Sequence, residues 1–216
     1  MKNYDFVLWD WNGTLLDDLE ANLEIVDVLL KNHGLKKLES REFYLENFGF
    51  PIVNFYKKLG FDLSREDFMT LADEYDEEYL RRLSSVSLFK NTRKTLSLLS
   101  EAGVKQAVIS ATEHGRLVSQ IEKYSLSDCF DAVLGTENHL GKGKTDVALE
   151  WLKKSGADPK RTVFVGDTLH DFDCARAIGC DCFLISNGHN SRRKLLESGC
   201  EVFSDISEVG KRVLEG

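Results

Sequence analysis

Three kinds of side chain in this sequence, aspartate, serine and lysine, have the types and order to build one chemical site. Asp10 stands in Asp10-Trp11-Asn12-Gly13-Thr14, directly after a short apolar run. Ser110 stands in Val108-Ile109-Ser110-Ala111-Thr112, again after apolar residues. Asp167 and Asp171 lie in Gly166-Asp167-Thr168-Leu169-His170-Asp171, and Lys142 and Lys144 precede a helical stretch. Carboxylates brought to one place repel each other unless a divalent cation or a lysine neutralises them. An all-oxygen donor set suits Mg²⁺. With a hydroxyl and a lysine beside it, such a group is the size of a phosphate site, and a positioned aspartate is a competent covalent nucleophile. Each piece alone is weak, because Asp-x-x-Gly-Thr is a common turn and a serine after a strand is a common helix cap. The joint occurrence, each piece after an expected strand, gives the set its meaning.

The elements that must position these residues follow from hydrophobic patterning. Tyr4–Asp10, Gln106–Ser110, Asp131–Leu134, Thr162–Gly166 and Cys182–Ile185 are nearly continuous apolar runs, as in strands covered on both faces. Glu201–Phe203 reads as a short last strand. Helices are expected over Thr92–Ala102, Gly115–Tyr124, Thr145–Lys154, Asp171–Ile178 and Ser191–Ser198. Gly103, Gly156, Gly179 and Gly199 stand where helix-ending glycines belong. Strand and helix alternate, which predicts an α/β fold with a Rossmann-like, doubly wound parallel sheet. In such sheets ligands bind beyond the carboxyl ends of the strands, where Asp10, Ser110 and Asp167 fall.

One segment breaks the alternation. From Leu16 to Val86 no buried strand is evident. Leu19, Leu23, Val26 and Leu30 repeat at helical spacing, with Asp17 and Asp18 as N-cap candidates, and Ser64–Leu83 is a second long helical stretch. The expected organisation is a core of residues 1–15 and 87–216 and an inserted all-helical domain of residues 16–86.

Composition excludes several classes. The 216 residues carry 28 Lys and Arg against 36 Asp and Glu, a formal net charge of −8. The acidic balance argues against nucleic-acid or anionic-membrane binding as the main task, because neutralising phosphates needs a basic face. No apolar run approaches the ~18 residues of a membrane span, and the N-terminus lacks the basic and apolar regions of a signal peptide. The five cysteines, Cys129, Cys174, Cys180, Cys182 and Cys200, contain no C-x-x-C pair and read as reduced thiols. A cytoplasmic protein is expected.

The motifs together resemble those of the haloacid dehalogenase superfamily, in its phosphoglycolate phosphatase-like branch. The family's Asp-x-Asp-Gly-Thr stands here as Asp10-Trp11-Asn12-Gly13-Thr14, its Ser or Thr as Ser110, its lysine as Lys144 or Lys142, and its Gly-Asp-x-x-x-Asp as Gly166-Asp167 with Asp171. About 100 residues separate Asp10 from Ser110 and about 34 separate Ser110 from Lys144, so the insertion follows the first motif, as in relatives with a helical cap. The resemblance implies a Mg²⁺-dependent phosphatase acting on a small phosphorylated metabolite. Asp10 is the implied nucleophile. Asp10, the Asn12 main-chain carbonyl, Asp167 and Asp171 are the implied Mg²⁺ ligands. Ser110 and Lys144 would hold phosphoryl oxygens, with Thr14, Ala111 and Thr112 completing the cradle. Gly49-Phe50-Pro51 resembles a specificity loop, which makes Phe50 a substrate-contact candidate. Core of the insertion is the other reading for Phe50, and it is the one expected for most of the five phenylalanines Phe43, Phe48, Phe50, Phe55 and Phe61. Asp173 reads as an exposed helix residue, and His114 and His170 as orienting or solvent-facing.

Asn12 departs from the family pattern. Family phosphatases carry Asp there as general acid and base, and an amide does neither task, a loss of roughly 10²–10⁴ in rate. The loss weighs most on alkyl phosphates and least on aryl or acyl phosphates, which leave well unaided. Two other readings follow. Relatives that cleave a carbon–phosphorus bond have a similar Asp-Trp-x-Gly-Thr motif and use a cap lysine, for which Lys36, Lys37, Lys57 and Lys58 are candidates. A catalytically degenerate protein that binds a phosphorylated ligand is the third reading.

Overall fold

The computed structural model describes residues 4–137 and 143–216. Lys142 lies outside the described residues. A parallel six-stranded sheet forms the centre. Its strands are β1 (Phe6–Trp9), β4 (Lys105–Glu113), β5 (Ala132–Thr136), β6 (Thr162–Gly166), β7 (Asp181–Ile185) and β8 (Glu201–Phe203), in the order β5-β4-β1-β6-β7-β8. Two two-residue strands, β2 (Leu16–Asp17) and β3 (Ser87–Leu88), pair antiparallel at the base of the insertion. They were not evident in the sequence, because two residues leave no periodicity to read.

The helices in chain order are α1 (Leu19–Asn32), α2 (Arg41–Asn47), α3 (Ile52–Lys58), α4 (Arg65–Arg82), α5 (Thr92–Glu101), α6 (His114–Lys123), α7 (Lys144–Ser155), α8 (Leu169–Ile178), α9 (Arg192–Leu196) and α10 (Ile206–Glu215). Alternation along β1 splits the sheet's two faces. Val7 and Trp9 pack with Leu96, Leu99, Leu117, Ile121 and Val209 of α5, α6 and α10. Leu8 packs on the other side with Ala148, Cys174, Ala175 and Ile178 of α7 and α8. Burial on both faces explains why β1 and β6 are continuous apolar runs. Gly156 and Gly179 end α7 and α8 in the left-handed conformation, as their positions predicted.

Helices α1–α4 are inserted between β2 and β3 and enclose an apolar cluster of their own. Leu19, Ile25, Val26, Leu29 and Leu30 supply α1's share, and Tyr44, Phe55, Tyr56, Phe61, Leu71 and Tyr79 the rest. Phe55 and Phe61 are buried there and Phe48 is partly so, whereas Phe50 is 42% exposed. Ser64 caps α4 by a reciprocal box in which Ser64 Oγ accepts from Asp67 N–H and an Asp67 carboxylate oxygen accepts from Ser64 N–H.

β1, β4 and β6 lie side by side, with the chain turning to opposite sides of β1. Asp10, Ser110 and Asp167 therefore meet at the switch point of the sheet. The Ser110 strand runs three residues further than its pattern predicted, to Glu113, and its pairing with β5 lapses between Ile109 and Glu113. That irregularity lifts Ser110-Ala111-Thr112 out of the ladder beside Asp10.

Candidate active site

Asp10, Asp167 and Asp171 converge so that one carboxylate oxygen from each lies within 4.8 Å of the others. All three are buried. Lys144, the first residue of α7, reaches in from the neighbouring helix. Its Nζ lies 2.6 Å from Asp10 Oδ1 and 2.5 Å from Asp171 Oδ1. The outer oxygens of the set are held by the backbone. Asp171 Oδ2 accepts from Asp167 N–H at 3.1 Å, Thr168 N–H at 2.9 Å and Thr168 Oγ1 at 2.7 Å. Asp167 Oδ1 accepts from Thr14 Oγ1 at 2.9 Å, and Oδ2 from His189 N–H at 2.6 Å. This packing needs glycine on both sides. A Cβ on Gly13, whose φ is +71°, would stand 2.3 Å from Asp167 Oδ2, and one on Gly188 would stand 2.2 Å from the same atom.

The charges do not balance within the protein. Burial raises the Asp10 carboxyl, Lys144 opposes this, and Asp171 and Asp167 add to it, leaving Asp10 well above the usual range. Asp167 is pushed up to about 6 by burial, against the pull of His189 and with the push of Asp171. Burial would discharge Lys144, but Asp10 and Asp171 outweigh it and hold the ammonium charged. Asp171, despite burial, is held low by Lys144 and by Thr168. Three buried carboxylates facing one lysine form an oxygen-rich, negative pocket, and the donor set fits a small divalent cation.

Beside this group runs a directed chain of hydrogen bonds through Asn12. Ser110 Oγ donates to Thr112 Oγ1 at 3.1 Å, which donates to Asn12 Oδ1 at 2.9 Å. Asn12 Nδ2 donates to Asp18 Oδ2 at 2.7 Å and to Tyr79 Oη of α4 at 2.9 Å. An ionised carboxylate only accepts, so the amide nitrogen must face Asp18. Asp18 occupies the N-cap position of α1, but its side chain makes no cap bond. It turns into the site instead and accepts from Gly13 N–H, Asn22 Nδ2, Tyr79 Oη and His189 Nε2 as well as Asn12. Burial would raise the Asp18 carboxyl, but His189 and these donors hold it below the usual range. Asp18 conversely outweighs burial at His189 and lifts it to about 9.

Patterning missed Asp18's role, His189, Tyr79 and Tyr44. His189 follows β7, so the rule that sites gather beyond strand ends would have found it. Tyr44 and Tyr79 sit in α2 and α4, where helical spacing gives them the signature of core residues.

The other expected residues fall as follows. Thr14 is buried with its hydroxyl on Asp167 and does not line the cavity beside Asp10. Ser110, Ala111 and Thr112 do line it, although Thr112 N–H is occupied by Ser110 Oγ at 3.1 Å. Phe50 lines it too, with its ring 4.5 Å from that of His170 in a stacked arrangement. His170 is thus tied to the insertion, and His114 and Asp173 are exposed. Lys36, Lys37, Lys57 and Lys58 are exposed, and none lines the cavity among the described residues. All five cysteines are free thiols. No helix among the described residues is long and apolar enough to cross a membrane.

The cavity measures ≈ 220 Å³ and opens between the strand ends and the inserted helices. One wall is polar, with Asp10, Asp167, Asp171 and Lys144. The lining from the inserted helices is mostly aromatic and aliphatic, with Asn22 and Asp76 among it. Arg116 of α6 spans the two units by a fork onto Asp76 of α4, at 2.5 and 2.7 Å.

A parallel α/β sheet with aspartates at its switch point and a helical insertion after the first strand defines a class of hydrolase. The family model described as haloacid dehalogenase-like hydrolase matches residues 7–185, and the chain belongs to that family. It is 25% identical over 212 residues to a phosphoglycolate phosphatase of Aliivibrio fischeri, covering 94% of this chain and 93% of that one. It is 26% identical over 211 residues to a phosphoglycolate phosphatase of Pseudomonas syringae, covering 94% of this chain and 77% of that one. Among solved structures, a predicted phosphatase from Clostridium acetobutylicum superposes with a TM-score of 0.85 at 22% identity, over 100% of both chains.

Proposed function

We propose that the protein is a Mg²⁺-dependent phosphate monoesterase with Asp10 as nucleophile. The observation that carries this reading is the convergence of Asp10, Asp167, Asp171 and Lys144 at one end of the sheet. The named relatives, phosphoglycolate phosphatases, support a small phosphate ester as the substrate class.

Asp10, Asp167, Asp171 and the Asn12 main-chain carbonyl are the residues proposed to hold Mg²⁺. The ion, when bound, neutralises carboxylate and phosphoryl charge so that an anionic nucleophile can approach an anionic ester. Asp10 attacks phosphorus, forming an aspartyl phosphate and releasing the alcohol. Water then cleaves that acyl phosphate and restores the carboxylate. Lys144 and the Ser110 hydroxyl hold phosphoryl oxygens, and the Lys144 ammonium offsets the charge that develops on them. Helices α1–α4 act as a cap, residues 16–86, that shuts water from the site except at the hydrolytic step. Asn12 orients the polar wall but transfers no proton.

The test is phosphate release from p-nitrophenyl phosphate and 2-phosphoglycolate, with Mg²⁺ and with EDTA, for the parent protein and Asp10→Asn. Release that requires both Mg²⁺ and Asp10 supports the reading. Ligand-induced stabilisation with no release from any ester would instead establish a binding protein.

A further inference from the structure

The cavity wall facing Asp10 and Lys144 bears on the substrate. The inserted helices contribute Val26, Phe55, Tyr56, Phe68, Ala72 and Tyr75 to it, besides the polar Asn22 and Asp76. A dry apolar cavity of about 150 Å³ accepts benzene, so ≈ 220 Å³ holds a phosphate and an aromatic ring only when both walls are used. Cations on the lining are committed. Lys144, which the phosphoryl group would engage, lies between Asp10 and Asp171, Arg116 is clamped by Asp76, and His189 is held by Asp18. The other charged lining groups outside the Asp10 cluster, Asp18, Asp76 and Glu113, are acidic, and Glu113 already accepts the N–H groups of Gly115 and Arg116. Among the described residues, a second anionic group on the substrate meets no cation there that is not already paired.

We propose that the substrate of this site is an aryl phosphate, a monoester whose alcohol is an apolar ring, rather than an ester bearing a second carboxylate or phosphate. The inference rests on the phosphatase reading above and names its substrate class. The Asn12 amide fits the same answer. It is pinned to Asp18, Tyr79 and Thr112 and has no proton to deliver. A phenol ionises near 10, far below an aliphatic alcohol, so a phenolate departs without an acid. In the balanced step an Asp10 oxygen forms a bond to phosphorus as the bond from phosphorus to the aryl oxygen breaks. The electron pair leaves on that oxygen, which takes a proton from solvent water. A second water then attacks phosphorus as the bond from phosphorus to the Asp10 oxygen breaks. The electron pair stays on Asp10 as carboxylate, the water's proton passes to solvent, and orthophosphate leaves.

The test separates ring recognition from leaving-group chemistry by using phosphonates that cannot be hydrolysed. Dissociation constants of phenylphosphonate and phosphonoacetate are measured by calorimetry with Mg²⁺, beside Asp10-dependent phosphate release from phenyl phosphate and 2-phosphoglycolate. Burial of the ring predicts at least about tenfold tighter binding of phenylphosphonate. Ala72→Leu, which narrows the cavity on the side of α4, should remove most of that preference. Equal or tighter binding of phosphonoacetate by the parent protein overturns the aryl class, and the phosphatase reading survives it wherever Asp10-dependent release persists. Absence of both phosphonate binding and phosphate release would overturn the phosphatase reading itself. The parent comparison decides the matter even if Ala72→Leu folds poorly.

Discussion

Asn12 Nδ2 lies 2.7 Å from Asp18 Oδ2. The residue that departs from the family motif is thus the donor that satisfies a buried carboxylate, and an aspartate there would set two like charges face to face. Asp18 accepts five hydrogen bonds, and two of its partners, Tyr79 and His189, come from α4 and from the loop after β7. The amide at position 12 is a structural joint between the inserted helices and the strand ends.

Asn12→Asp should therefore cost stability before it adds an acid. Losing a hydrogen bond to a charged group costs about 1.5–3 kcal/mol, and the new carboxyl must share a proton with Asp18. Its folded-state value is then raised, so the loss is small near pH 4 and grows as pH rises toward neutrality. Urea denaturation of parent and variant from pH 4 to 8 checks this. A pH-independent difference would contradict it.

Asp10→Asn should abolish phosphate release, by roughly 10³-fold or more, without unfolding the protein. Burial and its acidic neighbours raise Asp10, and Asp167 stands at about 6. Native carboxyls raised above their unfolded values bind protons that the unfolded chain releases. In EDTA, stability from these groups is present near pH 4 and falls as pH rises through about 6. The variant removes one of them, so its melting temperature at pH 7 in EDTA should equal or exceed the parent's.

His189 carries the opposite half of the Asp18 pair and is raised to about 9. Its contribution is complete below pH 6.5 and is lost as pH rises through about 9. A shift of this size corresponds to roughly 3 kcal/mol. Denaturant unfolding at pH 6.5 and 10 should show a drop of that order in the parent, and a much smaller one in His189→Gln.

Gly188→Ala tests the close packing around Asp167. The added Cβ would meet Asp167 Oδ2 at 2.2 Å and the Gly13 carbonyl oxygen at 2.4 Å. The expected cost is about 1–3 kcal/mol. Displacement of Asp167 should also weaken the thermal shift produced by Mg²⁺, read by titrating the ion into parent and variant.

Much of the site was legible in the sequence because each component sits at the end of a local apolar run. Asp10 and Asp167 each follow a strand buried on both faces, Ser110 ends the buried run within β4, and such runs announce themselves as continuous hydrophobic stretches. The acidic set follows from local order along the chain, as do the glycines that end α7 and α8, whereas the sequence left the lysine open between Lys144 and Lys142. Asp18 was the misleading residue. Its position before α1 gives it the signature of a helix cap, yet its carboxylate serves Asn12, Tyr79 and His189, which lie 6, 61 and 171 positions away.

The sequence by itself determined the layered α/β core, the helical insertion and the order of the chemical residues, because these rest on periodicity and chain adjacency. Tertiary structure alone decided what the Asn12 amide does, which cations are already paired and what lines the cavity beside Asp10 and Lys144. Those depend on contacts between side chains distant along the chain, such as Arg116 with Asp76 and Lys144 with Asp171, and no local pattern encodes them.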